Sequence, residues 1–386
     1  MTDTNRRPLG VGVAGMGWMG RVHTMAYTRV LHHFPELPVV PRLVAVADQV
    51  PGRPEEAAAQ FGFTTPVSDW REIAANPEVD VVSIAAPNFL HREIGVAMAE
   101  AGKHIWIEKP VGLTSEDARA VAAAVRAAGV QGAVGFNYRN APAVEAAKKM
   151  VDDGELGTIT HARFRFFSDY AAHPDGALSW RYERARGGSG VLGDIAGHAA
   201  DLAYYVLGEF ESIVADTAIF IPERPKGTGA VGHVRATGGE RGPVENEDYV
   251  GALARSHSGA RVVLEASRIA VGDQNAYGFE VHGTRGSLAW DFRRMNELQV
   301  GTDGLHQDQP MSTLYVGPAH GDFGAFQPGA ANAMGMDDLK VIECARFLRS
   351  VSENRPYGTT LADAVRSATL LDAMVESAAK RAWVTL

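Results

Sequence analysis

Val11-Gly12-Val13-Ala14-Gly15-Met16-Gly17-Trp18-Met19-Gly20 is a short apolar strand that runs into a glycine-spaced turn and then a helix. Each glycine of Gly15-x-Gly17-x-x-Gly20 has a physical task in a nucleotide-phosphate cradle. Gly15 allows the tight turn, Gly17 lets a pyrophosphate approach the backbone, and Gly20 lets helix and strand pack closely. The N–H groups of Trp18 and Met19, at the positive end of the helix dipole, would meet the pyrophosphate. The same spacing alone also fits an ordinary glycine-rich turn. Leu43-Val44-Ala45-Val46-Ala47 adds a second buried-type strand ending at Asp48, whose carboxylate would accept the adenosine ribose hydroxyls and favours NAD. Such an acid normally falls ~20 residues beyond the glycines. Here residues 31–41, rich in His and Pro, read as a surface-loop insertion that pushes it further along. Arg53 reads either as a solvated loop residue or as a partner for the 2′-phosphate that would admit NADP.

The composition is that of a soluble globular protein of two or more domains: 386 residues, 46% hydrophobic and 22% charged. With a formal net charge of −9 and no basic stripe, nucleic-acid binding has no electrostatic support, and a small neutral substrate fits better. The single cysteine, Cys344, lies in a helical apolar pattern and reads as core. Residues 1–8 lack the apolar run of a signal peptide, and no apolar run is long enough to span a membrane. No membrane association and a cytoplasmic location are therefore expected.

From residue 6 to 137, unbroken Val/Ile/Ala runs alternate with helical segments closed by Gly62, Gly102 and Gly129. That is the pattern of a doubly wound parallel sheet, the dinucleotide-binding fold of an α/β protein. Ser68 and Thr114 read as helix N-caps. From 138 to 386 the pattern changes to strands without intervening helices, at 159–165, 249–254, 261–268, 279–281 and 287–292. Gly283-Thr284-Arg285-Gly286 forms a hairpin turn among them. This predicts an α+β substrate-binding and oligomerisation domain with a large, mostly antiparallel open sheet. Residues 222–246 and 300–335 read as long irregular loops, and 337–352 and 361–381 as helices. Arg261-Val262-Val263-Leu264-Glu265 and Ser287-Leu288-Ala289-Trp290 carry large apolar residues that need cover. This predicts pairing of one sheet face with another subunit, as a homodimer or homotetramer.

Cofactors bind outside the carboxyl ends of parallel strands. Pro87, Asn88 and His91 follow one such strand, and Glu108-Lys109-Pro110 follows the next. A lysine held at a buried strand end has a depressed pKa and exchanges protons readily; the alternative is a lysine pointing into water. Residues 190–208 read as one helix placing Asp194 and His198 on one face at i, i+4. The pair reads as a proton relay, as a capping Asp with a core histidine, or as half a metal site. No second ligand cluster supports a metal.

Taken together, Gly15-Met16-Gly17-Trp18-Met19-Gly20, Pro87-Asn88 with His91, Glu108-Lys109-Pro110, Gly135-Phe136-Asn137-Tyr138-Arg139, the Asp194-to-His198 helix and Glu247-Asp248-Tyr249 resemble the Gfo/Idh/MocA family of NAD(P)-dependent oxidoreductases. The resemblance implies Lys109, Asp194 and His198 as catalytic residues, with Tyr138 beside them at the substrate. It implies hydride transfer between a nicotinamide and a secondary alcohol of a sugar, anhydrosugar or cyclitol. A glycosidase or epimerase with transient sugar oxidation is allowed by the same resemblance, whereas a non-catalytic NAD-sensing regulator on the same fold would not need Lys109, Asp194 and His198 together. Trp180-Arg181 before Gly187-Gly188, and the Phe34-Pro35 insertion, are most similar to dehydrogenases of levoglucosan and inositols. Trp180 offers a ring face to nicotinamide or sugar and Arg181 a hydrogen-bonding fork, or both are packing and surface residues. Ala196 departs from the glycine common in relatives.

Overall fold

The computed structural model describes residues 6–227, 235–236 and 239–386. In chain order the elements are β1 Arg7–Ala14, α1 Trp18–His33, β2 Val39–Ala47, α2 Arg53–Phe61, β3 Thr65–Val67, α3 Arg71–Ala75, β4 Val81–Ile84, α4 Asn88–Glu100, β5 His104–Ile107, α5 Ser115–Ala128 and β6 Gly132–Val134. There follow α6 Pro142–Asp152, β7 Ile159–Phe167, α7 Arg184–Gly187, α8 Gly197–Leu207, β8 Phe210–Ala218, β9 Glu223–Pro225, β10 Arg241–Pro243, β11 Tyr249–Ser256, β12 Arg261–Ser267 and β13 Ala276–Gly283. The last are β14 Ser287–Asp291, β15 Glu297–Gly301, β16 Ser312–Tyr315, α9 Met336–Glu353, α10 Leu361–Lys380 and β17 Val384–Thr385.

The chain divides into two compact units, one of residues up to Asn140 together with Gly335–Val365, the other of Ala141–Met334 with Arg366–Leu386. The first holds a six-stranded parallel sheet in the order β3-β2-β1-β4-β5-β6, the doubly wound arrangement whose order reverses between β1 and β4. Val11, Val13, Val81, Val82, Ile105 and Ile107 are fully buried, as strands covered on both faces require. Thr114 caps α5 by accepting the Asp117 N–H at 3.4 Å, whereas α3 starts later than Ser68 implies and has no side-chain cap. The division differs from a single cut near residue 137. α9 joins the first unit because it packs along α1 and against the turn Asn137–Asn140.

Within residues 31–41 the loop between helix and strand is shorter than expected, with Pro35, Glu36 and Pro38 exposed at the surface. α1 continues to His33, β2 begins at Val39, and Phe34 and Leu37 between them are buried. The hydrophobic residues in that His- and Pro-rich segment thus serve the core.

The second unit is built on a nine-stranded sheet ordered β16-β15-β14-β13-β7-β12-β11-β8-β17, antiparallel except for β7 beside β12. α8 packs on β7 and β12, and α6 on β14 and β15. Alternation sends Ala162, Phe164 and Phe166 of β7 to the covered face and leaves His161, Arg163 and Arg165 on the other. The large apolar residues of β12 and β14 expected to need a partner, Val262, Leu264, Leu288 and Trp290, face inward and are already buried. The outer face of those strands carries Arg261, Val263, Glu265, Ser287 and Ala289.

Both segments read as long loops contain strands. β16 pairs with β15 within residues 300–335. Residues 222–246 lie partly outside the described residues, and their described ends pair as β9 and β10. Among the described residues no helix is long and apolar enough to cross a membrane.

Candidate active site

The glycine turn begins where β1 ends. Gly15 has φ of +95°, and a Cβ there would lie 2.6 Å from the Ala85 carbonyl oxygen and 2.7 Å from the Ala86 nitrogen, so both conformation and space demand glycine. A Cβ on Gly20 would overlap the Gly15 carbonyl, while one on Gly17 would meet nothing within 4 Å among the described residues. The last result leaves open the side from which a pyrophosphate approaches. α1 starts at Trp18, itself 67% exposed, without a side-chain cap and with no acidic residue in its first turn. Its opening N–H groups suit an anion.

Asp48 follows β2 and ties the turn in place. Its Oδ2 accepts the Met16 N–H at 2.8 Å and its Oδ1 the Val50 N–H at 2.9 Å. Arg53 pairs with the same carboxylate at 3.2 Å, so it is neither merely solvated nor unengaged.

At the end of β5 stands Glu108, buried, followed by half-buried Lys109 and a cis Lys109–Pro110 bond. The Glu108 carboxylate receives His23 Nε2 at 2.9 Å, Lys340 Nζ at 2.5 Å and the Lys109 N–H at 3.3 Å. Burial would raise its pKa, but the Lys340 ammonium and the His23 hydrogen bond outweigh that and hold it well below the usual carboxylate range. Burial lowers His23 to about 4, so its ring is neutral, stacked on Trp106 at 3.6 Å between centroids. Lys340 also reaches Glu343 at 3.4 Å, and Trp106 Nε1 donates to the same Glu343 oxygen at 2.5 Å. Burial, with Lys340 opposing, pushes Glu343 up to about 7, and its Oε2 has no hydrogen-bond partner among the described residues.

Glu108 is expected at the cofactor from its place after β5, yet its carboxylate faces this buried cluster. His23, Lys340 and Glu343 were missed. The signal available was a Lys and a Glu three apart inside a run, Leu339 to Cys344, that is otherwise apolar.

Pro87 and Asn88 open α4. His91 is buried one turn on, its Nδ1 2.7 Å from the Pro110 carbonyl and its Nε2 2.7 Å from the Ala86 carbonyl. It clamps the loops that follow β4 and β5. Tyr138 is buried in the turn Asn137–Asn140, and burial, then the Glu108 charge, raises its phenol pKa.

In the second unit, the expected single helix over 190–208 is interrupted. Leu192–Ala196 forms a π-helical turn before α8, which moves Asp194 off the position a continuous α-helix would give it relative to His198. Gly190 makes this turn possible, because a Cβ there would overlap the Glu247 carbonyl. Glu247 holds the turn from outside: its carbonyl accepts the Val191 N–H at 2.9 Å and its carboxylate the Leu192 N–H at 3.1 Å. His198 is buried with its ring 6.1 Å from that of Phe166, and Tyr277 donates to its carbonyl at 2.8 Å. Ala196 is buried. Trp180 and Arg181 lie on the short turn Trp180–Tyr182, the guanidinium 4.4 Å over the Trp180 ring. Among the described residues no three His, Cys, Asp or Glu side chains gather as metal ligands would.

Residues 9–136 match the oxidoreductase family with an NAD-binding Rossmann fold, and residues 144–289 match the GFO/IDH/MocA C-terminal domain. Levoglucosan dehydrogenase of Pseudarthrobacter phenanthrenivorans is 41% identical over 380 residues, 97% of each chain. The chain belongs to the Gfo/Idh/MocA family. Within this family, inositol 2-dehydrogenase of Rhizobium meliloti is 29% identical over 359 residues, covering 89% of this chain and 97% of its own. The solved structure of levoglucosan dehydrogenase in complex with NADH and levoglucosan superposes with a TM-score of 0.92 at 39% identity, over 98% of this chain and 99% of that one. As a Gfo/Idh/MocA member the protein is an NAD-dependent oxidoreductase. The glycine turn fits that cofactor, with open space at Gly17 and uncapped N–H groups at α1.

Proposed function

We propose that this oxidoreductase is a dehydrogenase of a neutral sugar, anhydrosugar or cyclitol, oxidising one secondary alcohol to a ketone. The observation that carries this reading is the similarity to levoglucosan dehydrogenase over nearly the whole of both chains. NAD, when bound, supplies the hydride acceptor; the glycine turn and Asp48 would hold it. In the same proposal, His198 takes the hydroxyl proton, Asp194 supports the imidazole, and Lys109 stabilises the developing alkoxide, with Tyr138 at the substrate. Pro87, Asn88, His91 and Glu108 shape the loops at the strand ends, and Trp180 and Arg181 border the cofactor or sugar.

Charge supports a substrate without phosphate. Arg224 is engaged by the carbonyls of Ala171 and His173, and Arg268 by Asp248 and Asn246, and both guanidinium side chains are buried.

The test is NADH accumulation, followed by its absorbance, across levoglucosan, inositols and other polyols. Lys109→Met and His198→Asn are expected to lose on the order of 10²–10⁴-fold in kcat. Wild-type turnover by either would overturn the residue roles. Substrate conversion without net NADH would point instead to a transient oxidation.

We also propose a cytoplasmic homo-oligomer that pairs through the outer face of the nine-stranded sheet. Leu253, 39% exposed, and half-buried Val263 on that face support it.

A further inference from the structure

Asp194 is held from outside its own helix. Tyr170, just past the end of β7, donates its phenolic O–H to Oδ2 of Asp194. The backbone that carries Tyr170 is pinned on both sides. The Ser168 N–H bonds to the Ser267 carbonyl at 2.9 Å and the Ala171 N–H to the Arg268 carbonyl at 3.0 Å. The buried guanidinium of Arg224 then clasps the carbonyls of Ala171 at 2.5 Å and His173 at 2.9 Å. Tyr182 packs between Arg224 and Arg268, at 4.4 and 4.8 Å, so the clasp is itself braced. The π-helical turn beneath Asp194 is fixed separately by Glu247. Carboxylate and phenol are therefore anchored by different parts of the second unit and meet at one hydrogen bond.

We propose that Tyr170 is a positioning residue for the reaction: its O–H locks the Asp194 carboxylate in the single orientation from which it supports the imidazole of His198. The inference rests on the assignment of proton transfer to Asp194 and His198. Burial, and next the Asp194 charge, push the Tyr170 phenol well above its ordinary pKa, so it remains a donor across the neutral range. Removing the Tyr170 hydrogen bond frees the carboxylate to turn out of line and weakens its support of the imidazolium.

The test is a double-mutant cycle of Tyr170→Phe and Asp194→Asn, with kcat, KM for NAD and the pH profile of alcohol oxidation measured for each. Tyr170→Phe deletes one oxygen, and thermal melts establish that the variant is folded. It is expected to lower kcat ~10-fold, the scale of one hydrogen bond to a charged group, with KM for NAD unchanged. The limb that rises as His198 loses its proton is expected to move to lower pH, because a displaced carboxylate stabilises the imidazolium less. In the Asp194→Asn background the same substitution is expected to have little further effect. If Asp194→Asn keeps wild-type kcat, the proton-transfer reading of Asp194 falls, and the proposal with it. If Asp194→Asn is impaired while Tyr170→Phe is silent, or costs the same factor in both backgrounds, Tyr170 does not act through Asp194 and the proposal alone is overturned.

Discussion

Glu343 and His23 sit in one buried cluster and respond to pH in opposite senses. Burial raises Glu343 from 4.5 to about 7, so the folded protein holds its proton more tightly than the unfolded chain. Its contribution is fully present below pH 4.5 and is lost as pH rises to 7. His23 is lowered from 6.5 to about 4, so it costs stability as pH falls through that range. The two effects offset between about pH 4.5 and 6.5. Glu343→Gln removes one side of the balance. The variant is expected to lose stability on acidification from pH 6.5 to 4.5 by on the order of 1–3 kcal/mol more than the wild type. Denaturant unfolding across that range measures it, and parallel curves would refute the opposed titrations. At the cofactor end, Arg53 offsets the charge of Asp48, so Arg53→Ala is expected to reduce kcat/KM with NADP more than with NAD. Asp48→Ser is expected to move preference toward NADP by about 10- to 100-fold. It should also raise KM for both cofactors, since the Met16 N–H loses its acceptor. An unchanged NADP/NAD ratio in Asp48→Ser would place the ribose elsewhere.

The turn after β1 was legible because its constraints are local. Gly15 is required by its own positive φ and Gly20 by the Gly15 carbonyl of the same turn, and spacing alone encodes that, although the Ala85–Ala86 backbone beyond β4 also crowds Gly15. The π-helical turn was not legible, because nothing between Gly190 and His198 demands it. The groups that hold it, Glu247 and Tyr170, come from distant parts of the chain. Periodicity likewise located the helix at 337–352 but not its burial all round, which places Lys340 against Glu108. Gly135 belongs to the same class of remote constraint: a Cβ there would run into the Glu108 carboxylate. Gly135→Ala is therefore expected to push that carboxylate off Lys340 and His23. Disrupting a buried ion pair costs about 3–5 kcal/mol, which a thermal melt detects, and a wild-type melting temperature would contradict the packing around Glu108.

For the whole molecule, strand alternation identified which residues of β12 and β14 pair across a layer but assigned their cover to a second subunit. The helices of the same unit supply it instead. Association through the polar outer face is testable by light scattering, which should give a multiple of the 41.3 kDa chain mass. Leu253→Asp is expected to reduce that multiple; a monomeric wild type would remove the proposal. The return of residues 335–365 to the first unit bears on biosynthesis. While the ribosome is still making residue 334, the emerged parallel sheet carries Glu108 without Lys340 and Trp106 without Glu343. A nascent nucleotide-binding half thus holds an uncompensated interior charge until most of the polypeptide has left the exit tunnel. Arrested chains ending before α9 should accordingly be digested by protease where chains extending beyond residue 365 resist.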